Sequence, residues 1–212
     1  MSERYISPSV IRRLPKYHRC LKELERNGIE RVSSSVLADT LGFTASQVRQ
    51  DFSCFGGFGQ QGYGYNVVGL KEKIAAIIGV NRSYSAAIIG VGNLGRALAN
   101  NFDFGKCGFE LSVAFDASPD LIGTSICGVK IRDVAELEGY YAENPFDLAV
   151  LTVPRQFAKS MAKKLCDMGV KGIWNFTNVD IESEDKSVKI ENVHFADSLK
   201  ILCYQISRES KD

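Results

Sequence analysis

The stretch AAIIGVGNLGRALAN constrains this chain more than any other. Four apolar residues at 86–89 lead directly into Gly90, Gly92 and Gly95 in G-x-G-x-x-G spacing, and helical periodicity follows over 94–102. A strand that turns through glycines into a helix predicts the first βα unit of a parallel, dinucleotide-binding sheet. Each glycine has its own reason. Gly90 allows a tight turn, and Gly92 lets a pyrophosphate approach the backbone of Val91, Asn93 and Leu94 at a helix N-terminus. Gly95 permits close helix–strand packing.

The next apolar run, 111–115, ends at Asp116, 21 positions after Gly95. An acid at that distance is expected to accept hydrogen bonds from the adenosine ribose and to repel a 2′-phosphate. Residues 117–120 offer no arginine or lysine to hold such a phosphate, so NAD(H) is expected over NADP(H). Strand-like runs at 86–89, 111–115, 148–153 and 172–176 alternate with helical stretches at 94–102, 134–141 and 156–168, which predicts an α/β fold with a parallel sheet. Thr152, Val153 and Pro154, with Asn175 and Phe176, fall at later strand ends, where an open sheet presents its ligands; they are expected at the nicotinamide half. The residues alone leave open a glycine turn that shapes the fold without holding a nucleotide.

Upstream the pattern is helical. Ser7-Pro8 starts a helix that Pro15 should kink or interrupt and that Asn27-Gly28 should stop. A second helix is expected over 34–41, stopped by Gly42, and a third from Thr44 or Ser46 through Phe52. This short spacing predicts a helix-turn-helix. The second of the pair carries Ser46, Gln47, Arg49, Gln50 and Ser53, side chains able to reach base edges or phosphates. Six glycines among aromatics between Phe55 and Gly69 predict a β-hairpin, read as a wing that tracks DNA backbone or minor groove. A helix over 70–78 and a joint at 81–83 follow. Residues 1–82 hold 12 Lys+Arg against 7 Asp+Glu, and the remainder 14 against 18, so the basic end is the one suited to a polyanion. A helical oligomerisation domain is the alternative that the residues allow here.

Composition narrows the remaining classes. No apolar run approaches the ~20 residues of a membrane span, and the first ten residues have no signal-peptide core. Six scattered cysteines without a C-x-x-C pair, and two histidines, give neither a disulfide framework nor a metal site. A cytoplasmic protein with reduced thiols and no metal is expected.

Taken together, VIRRLPKYHRCLKELE (10–25), VSSSVLADTLGFTASQVRQDFSCFG (32–56), GYGYNVVGLK (62–71), IIGVGNLGRAL (88–98), FD (115–116), LTVPR (151–155) and GIWNF (172–176) make the chain resemble the Rex family of bacterial redox-sensing transcriptional repressors over essentially its whole length. The resemblance implies a homodimer that binds operator DNA when NAD+ prevails and releases it as NADH accumulates. It implies a winged helix-turn-helix domain at 1–82 and a Rossmann domain at 83–196. A terminal helix, within 197–212, would be swapped onto the partner. The expected DNA-facing set then includes Arg13 and, in the wing, Gln61, Tyr63 and Tyr65. Family members tend to have lysine at the place of Gln50 and basic residues at Gln60 and Gln61, cations whose loss removes phosphate contacts. They also tend to have tyrosine at the place of Asn101 and aspartate at His194, a switch pair expected near Arg19. No catalytic residues are expected. The rival, a small NAD-dependent oxidoreductase with an added N-terminal module, lacks room for a substrate domain and a Tyr-x-x-x-Lys arrangement.

Overall fold

The computed structural model describes residues 6–56 and 63–209. The chain divides after Arg82 into two compact units.

In the first unit, α1 (Pro8–Arg26) starts where Ser7 caps it, the Ser7 hydroxyl accepting from the Val10 amide at 3.4 Å. The expected interruption at Pro15 does not occur. Pro15 sits on the exposed face, where one lost backbone donor leaves no buried carbonyl stranded, and the helix runs on to Arg26. A two-residue strand, β1 (Arg31–Val32), precedes α2 (Ser34–Leu41) and α3 (Ala45–Ser53). The Ser33 and Thr44 hydroxyls cap the two helices by accepting from Val36 and Gln47 amides at 3.2 and 3.1 Å, and Gly42 ends α2 at φ 70°. The two helices share a buried core with α1 made of Leu14, Tyr17, Leu21, Leu37, Val48 and Phe52.

Most of the expected glycine–aromatic hairpin, residues 57–62, lies outside the described residues. Beyond them β2 (Tyr65–Asn66) pairs antiparallel with β1, Arg31 opposite Asn66 and Val32 opposite Tyr65. The partner strand therefore comes from ahead of the helix-turn-helix. Helix α4 (Val67–Ile78) begins three residues before the expected 70 and takes in Gly69, because the Asn66 side chain caps it, accepting from the Gly69 amide at 2.7 Å. A Cβ on Gly69 would lie 3.1 Å from that capping oxygen, which favours glycine at this place in a helix.

The second unit is built on a seven-stranded sheet: β3 (Tyr84–Ile89), β4 (Phe109–Asp116), β5 (Ser125–Ile126), β6 (Val129–Asp133), β7 (Leu148–Leu151), β8 (Gly172–Asn175) and β9 (Lys189–Asn192), in spatial order β5-β6-β4-β3-β7-β8-β9. From β6 to β9 every pairing is parallel; β5 closes one edge antiparallel to β6. Helices α5 (Asn93–Asn101), α6 (Leu137–Glu143) and α7 (Ala158–Asp167) provide crossovers, and α8 (Phe195–Glu209) ends the chain. Both sheet faces are covered, as a parallel sheet requires. One core holds Ile89, Phe115, Leu137, Leu151, Leu165 and Ile173; the other holds Ile88, Val91, Ile131, Val150 and Phe176. The sequence missed β5, β6 and β9, because edge strands such as KIEN alternate or are too short to show an apolar run. Strand order reverses between β3 and β7, and a ligand crevice belongs at such a switch point, outside the strands' carboxyl ends.

Phe115 is fully buried on β4 and meets Tyr140 edge-on at 5.5 Å. Phe115→Ala should cost roughly 3–5 kcal/mol. Urea unfolding followed by the fluorescence of Trp174, the single tryptophan, reads this unit, and an unchanged midpoint would contradict the packing described.

Candidate dinucleotide cradle and nucleic-acid interface

The glycine turn leaves β3 at the reversal. Gly90 has φ +96°, and a Cβ there would lie 2.9 Å from the Thr152 carbonyl carbon at the end of β7. A Cβ on Gly95 would overlap the Gly90 carbonyl oxygen and lie 3.0 Å from the Thr152 hydroxyl. Gly92 differs from both: a Cβ would meet nothing within 4 Å. Two of the glycines are therefore required by the protein's own packing, while Gly92 borders open space at the start of α5. No side chain caps α5 there, and the unpaired first-turn amides of a helix N-terminus, here including those of Asn93 and Leu94, suit a negatively charged group.

Asp116 stands beside this turn at the end of β4. One carboxylate oxygen accepts from the Val91 amide at 2.5 Å and the other from the Ser118 amide at 2.8 Å. Each oxygen retains acceptor capacity, so the carboxylate both shapes the turn and remains able to take a ribose hydroxyl. These residues fit a dinucleotide: an open glycine, a helix N-terminus and an acid one strand away.

At the later strand ends the side chains are bonded within the protein. The Thr152 hydroxyl donates to the Gly90 carbonyl at 2.6 Å, pinning the glycine turn from below. Asn175 is buried; its amide donates to the Val179 carbonyl and to Asn192 Oδ1, both at 2.7 Å, and its oxygen accepts from the Thr177 amide and hydroxyl. With its polar atoms so engaged, Asn175 shapes the 175–179 turn rather than offering them to a ligand. Phe176 is likewise turned into the core, edge-on to Trp174 at 4.5 Å. Val153 packs partly on the core and Pro154 is exposed at the crevice mouth.

On the first unit, Ser46, Arg49, Gln50 and Ser53 recur at i, i+3, i+4 and i+7 and are exposed, with Gln47 at the edge, while Val48, Asp51 and Phe52 face inward. The Arg49 guanidinium donates to the Ser34 hydroxyl at 3.2 Å, and the Ser53 hydroxyl donates back to the Gln50 carbonyl. Arg13, expected at DNA, is paired with the buried Asp51, its Nε and one terminal nitrogen each 2.7 Å from a carboxylate oxygen. Tyr65 is half-buried against Phe52, whereas Tyr63 is well exposed; Gln60 and Gln61 lie outside the described residues. Arg31, which the sequence reading missed, donates to the Tyr63 carbonyl at 3.2 Å and lies over its ring. Nothing in local sequence distinguishes that arginine; it reaches the wing only through the β1–β2 pairing.

The residues of the expected switch are engaged locally. Asn101 donates to the Ala97 carbonyl at 3.0 Å, and His194 Nε2 lies 2.8 Å from Asp180 Oδ1. Arg19 is exposed on α1. Among the described residues no helix is long and apolar enough to cross a membrane, and no group of His, Cys, Asp and Glu is arranged to hold a metal ion.

Fold and sites define a two-domain protein, a winged helix-turn-helix unit ahead of a Rossmann unit. Comparison with known proteins agrees. Residues 5–53 match the family model "Putative DNA-binding protein N-terminus", and residues 81–179 match "CoA binding domain". The redox-sensing transcriptional repressor Rex of Clostridium botulinum (strain Eklund 17B) is 47% identical, covering 96% of this chain and 97% of its own. That of Clostridium kluyveri is 52% identical, with 93% of each chain covered. A crystal structure of RSP in complex with β-NAD+ and operator DNA superposes with TM-score 0.90 at 45% identity, covering 97% of this chain and 94% of that one. RSP in complex with β-NADH gives 0.89 at 42%, covering 97% and 96%. The chain belongs to the Rex family of redox-sensing transcriptional repressors.

Gly92→Val should abolish dinucleotide binding with little change in stability, since the side chain enters only ligand space. Gly95→Val should instead destabilise the second unit by at least about 1–3 kcal/mol. Calorimetry with NADH and Trp174-monitored unfolding separate the two. Equal behaviour of the variants would contradict the division of roles.

Proposed function

We propose that this chain represses transcription by binding operator DNA, and that it leaves the operator when its Rossmann unit takes NADH in place of NAD+. The observation that carries the reading is the open space at Gly92, beside Asp116 and an uncapped helix N-terminus, in a chain whose other unit exposes a recognition face on α3. Relatives at about half identity are named as redox-sensing repressors, not oxidoreductases.

Residues 1–82 are then the DNA-reading domain, 83–196 the NAD(H) sensor and 197–212 the helix exchanged with a second copy. In support of the last, α8 leaves Phe195, Leu199, Ile201, Leu202, Tyr204 and Ile206 exposed at 48–62%, with Leu199, Leu202 and Ile206 on one face. A single helix so apolar in water is suited to cover by another protein surface. A repressor that works on DNA in this way would act in the cytoplasm. The direct DNA contacts are assigned to Ser46, Gln47, Arg49, Gln50 and Tyr63, with Ser53 at the helix end. The dinucleotide contacts are assigned to Gly90, Val91, Gly92, Asn93, Leu94, Gly95 and Asp116, with Val153 and Pro154 at the crevice mouth.

Redox control needs only that the DNA-competent arrangement differ in its affinity for the two dinucleotides. A ligand that bound both arrangements equally would shift nothing. By reciprocity, operator DNA must change the affinity for NADH and for NAD+ by matching factors. A gel shift with a palindromic Rex-type operator, titrated separately with NADH and NAD+, is the direct test. Release by NADH at concentrations where NAD+ leaves the complex intact is expected, and identical responses to both would contradict the reading.

Two variants check the separate sites. Arg49→Ala should weaken operator binding by about 1–3 kcal/mol, with NADH affinity unchanged; full operator affinity in the folded variant would displace α3 from its role. Asp116→Ser should move preference from NADH toward NADPH, because the carboxylate that accepts from ribose hydroxyls also repels a phosphate ester. Equal affinity of the unaltered protein for NADH and NADPH would count against NAD(H) as the ligand.

A further inference from the structure

Among the described residues of the first unit, Asp51 is the one buried charged side chain, 2% exposed and in the last turn of the recognition helix. It points away from the base-reading face. Its two oxygens receive Arg13 Nε and a second guanidinium nitrogen, each at 2.7 Å, and the Tyr17 hydroxyl donates to Oδ2 at 2.8 Å. Both donors stand one turn apart on α1. A guanidinium fork on a carboxylate fixes direction as well as distance. The third donor, held inside the core by Phe43 and Phe52 rings at 5.6 and 4.9 Å, prevents the carboxylate from turning about its own axis. Burial, and after it the hydrogen bond to Asp51, raise the Tyr17 phenol well above its ordinary pKa, so it remains a donor throughout the physiological range.

Apolar contact alone would hold α3 against α1 but leave rotation about the α3 axis weakly specified, because a Val and a Phe pack acceptably over a range of angles. A forked ion pair does not tolerate that rotation. The outward face at Ser46, Arg49 and Gln50 is rigidly tied to Asp51 through the helix, so a turn of α3 moves every base-reading side chain sideways in the groove. Resting on the DNA-binding role given above, we propose that Asp51, clamped by Arg13 and Tyr17, is a positioning residue for operator recognition. It sets the rotational angle of α3 and hence the preference for operator over other duplexes, without touching DNA.

A positioning role predicts a loss of discrimination, whereas a stability role predicts only a loss of folded protein. Operator and non-operator duplexes of equal length should be titrated with the full-length protein and with Asp51→Asn, Arg13→Lys and Tyr17→Phe, with NADH affinity and unfolding recorded for each. In Asp51→Asn, operator affinity is expected to fall about tenfold or more while non-operator affinity stays within about twofold, since base contacts depend on angle and the phosphate field does not. Arg13→Lys, which keeps the charge but not the fork, should lie between this variant and the unaltered protein. Tyr17→Phe removes one hydroxyl from an otherwise intact core; it should lose discrimination to a smaller extent, and it decides the matter if Asp51→Asn does not fold. NADH affinity should not change in any of them. Parallel loss on both duplexes, or full discrimination in folded Arg13→Lys and Tyr17→Phe, would overturn the inference. An unaltered protein that does not distinguish operator from other DNA would instead refute the repressor reading, and this inference with it.

Discussion

Between the Gly90 carbonyl and the α carbon of Gly95 there is no room for a side chain, and that contact fixes where α5 begins relative to β3. Thr152 reaches over from β7 to bond the same carbonyl, so three segments meet at one oxygen. The position of the open Gly92 follows from this meeting point. Were the turn looser, the α5 amides would not converge and Asp116 would not lie within reach of the Val91 amide. The three glycines of the motif are thus alike in spacing and unlike in cause: two answer to the protein's packing, and the third borders open space.

The two units place charge differently. The Rossmann unit keeps its acid at a strand end, where backbone donors face it and a ligand can share it. In the first unit the carboxylate of Asp51 is inside, where removal of its cationic partner would leave a buried uncompensated charge. Its surface cations, among them Arg12, Lys16 and Arg19 on α1, remain exposed at helical spacing. Lys16 lies over the Phe43 ring at the turn between α2 and α3.

Much of this was legible because local chemistry and final structure agree. The caps at Ser7, Ser33 and Thr44, the glycine stop at Gly42 and the strand-turn-helix at 84–101 are each specified within a few residues. What the sequence hid depends on distant partners. The strand opposite Tyr65–Asn66 could not be found from the glycine segment itself. Asn175 and Phe176 stand where ligand contacts often stand, yet their side chains are drawn inward by Asn192, Val179 and Trp174. The pairing of Arg13 could not be read either, because Asp51 lies far along the chain. One clue was available: Asp51 falls in the same helical phase as Val48 and Phe52, an acid where an apolar residue belongs.

The strand order also bears on how the chain comes off the ribosome. Among the described residues, the strand pairing of the first unit is complete by Asn66 and its last helix by Ile78, so it can close before the second unit is made. In the sheet, β3 is synthesised first and lies in the interior; β4 joins one side, the β5–β6 hairpin extends that side, and β7, β8 and β9 add in turn to the other. No strand has to insert between two already paired. Each parallel strand finds a growing edge waiting, and the slow non-local pairings of such sheets are formed one at a time, with β9, the least apolar of them, left to form the final edge.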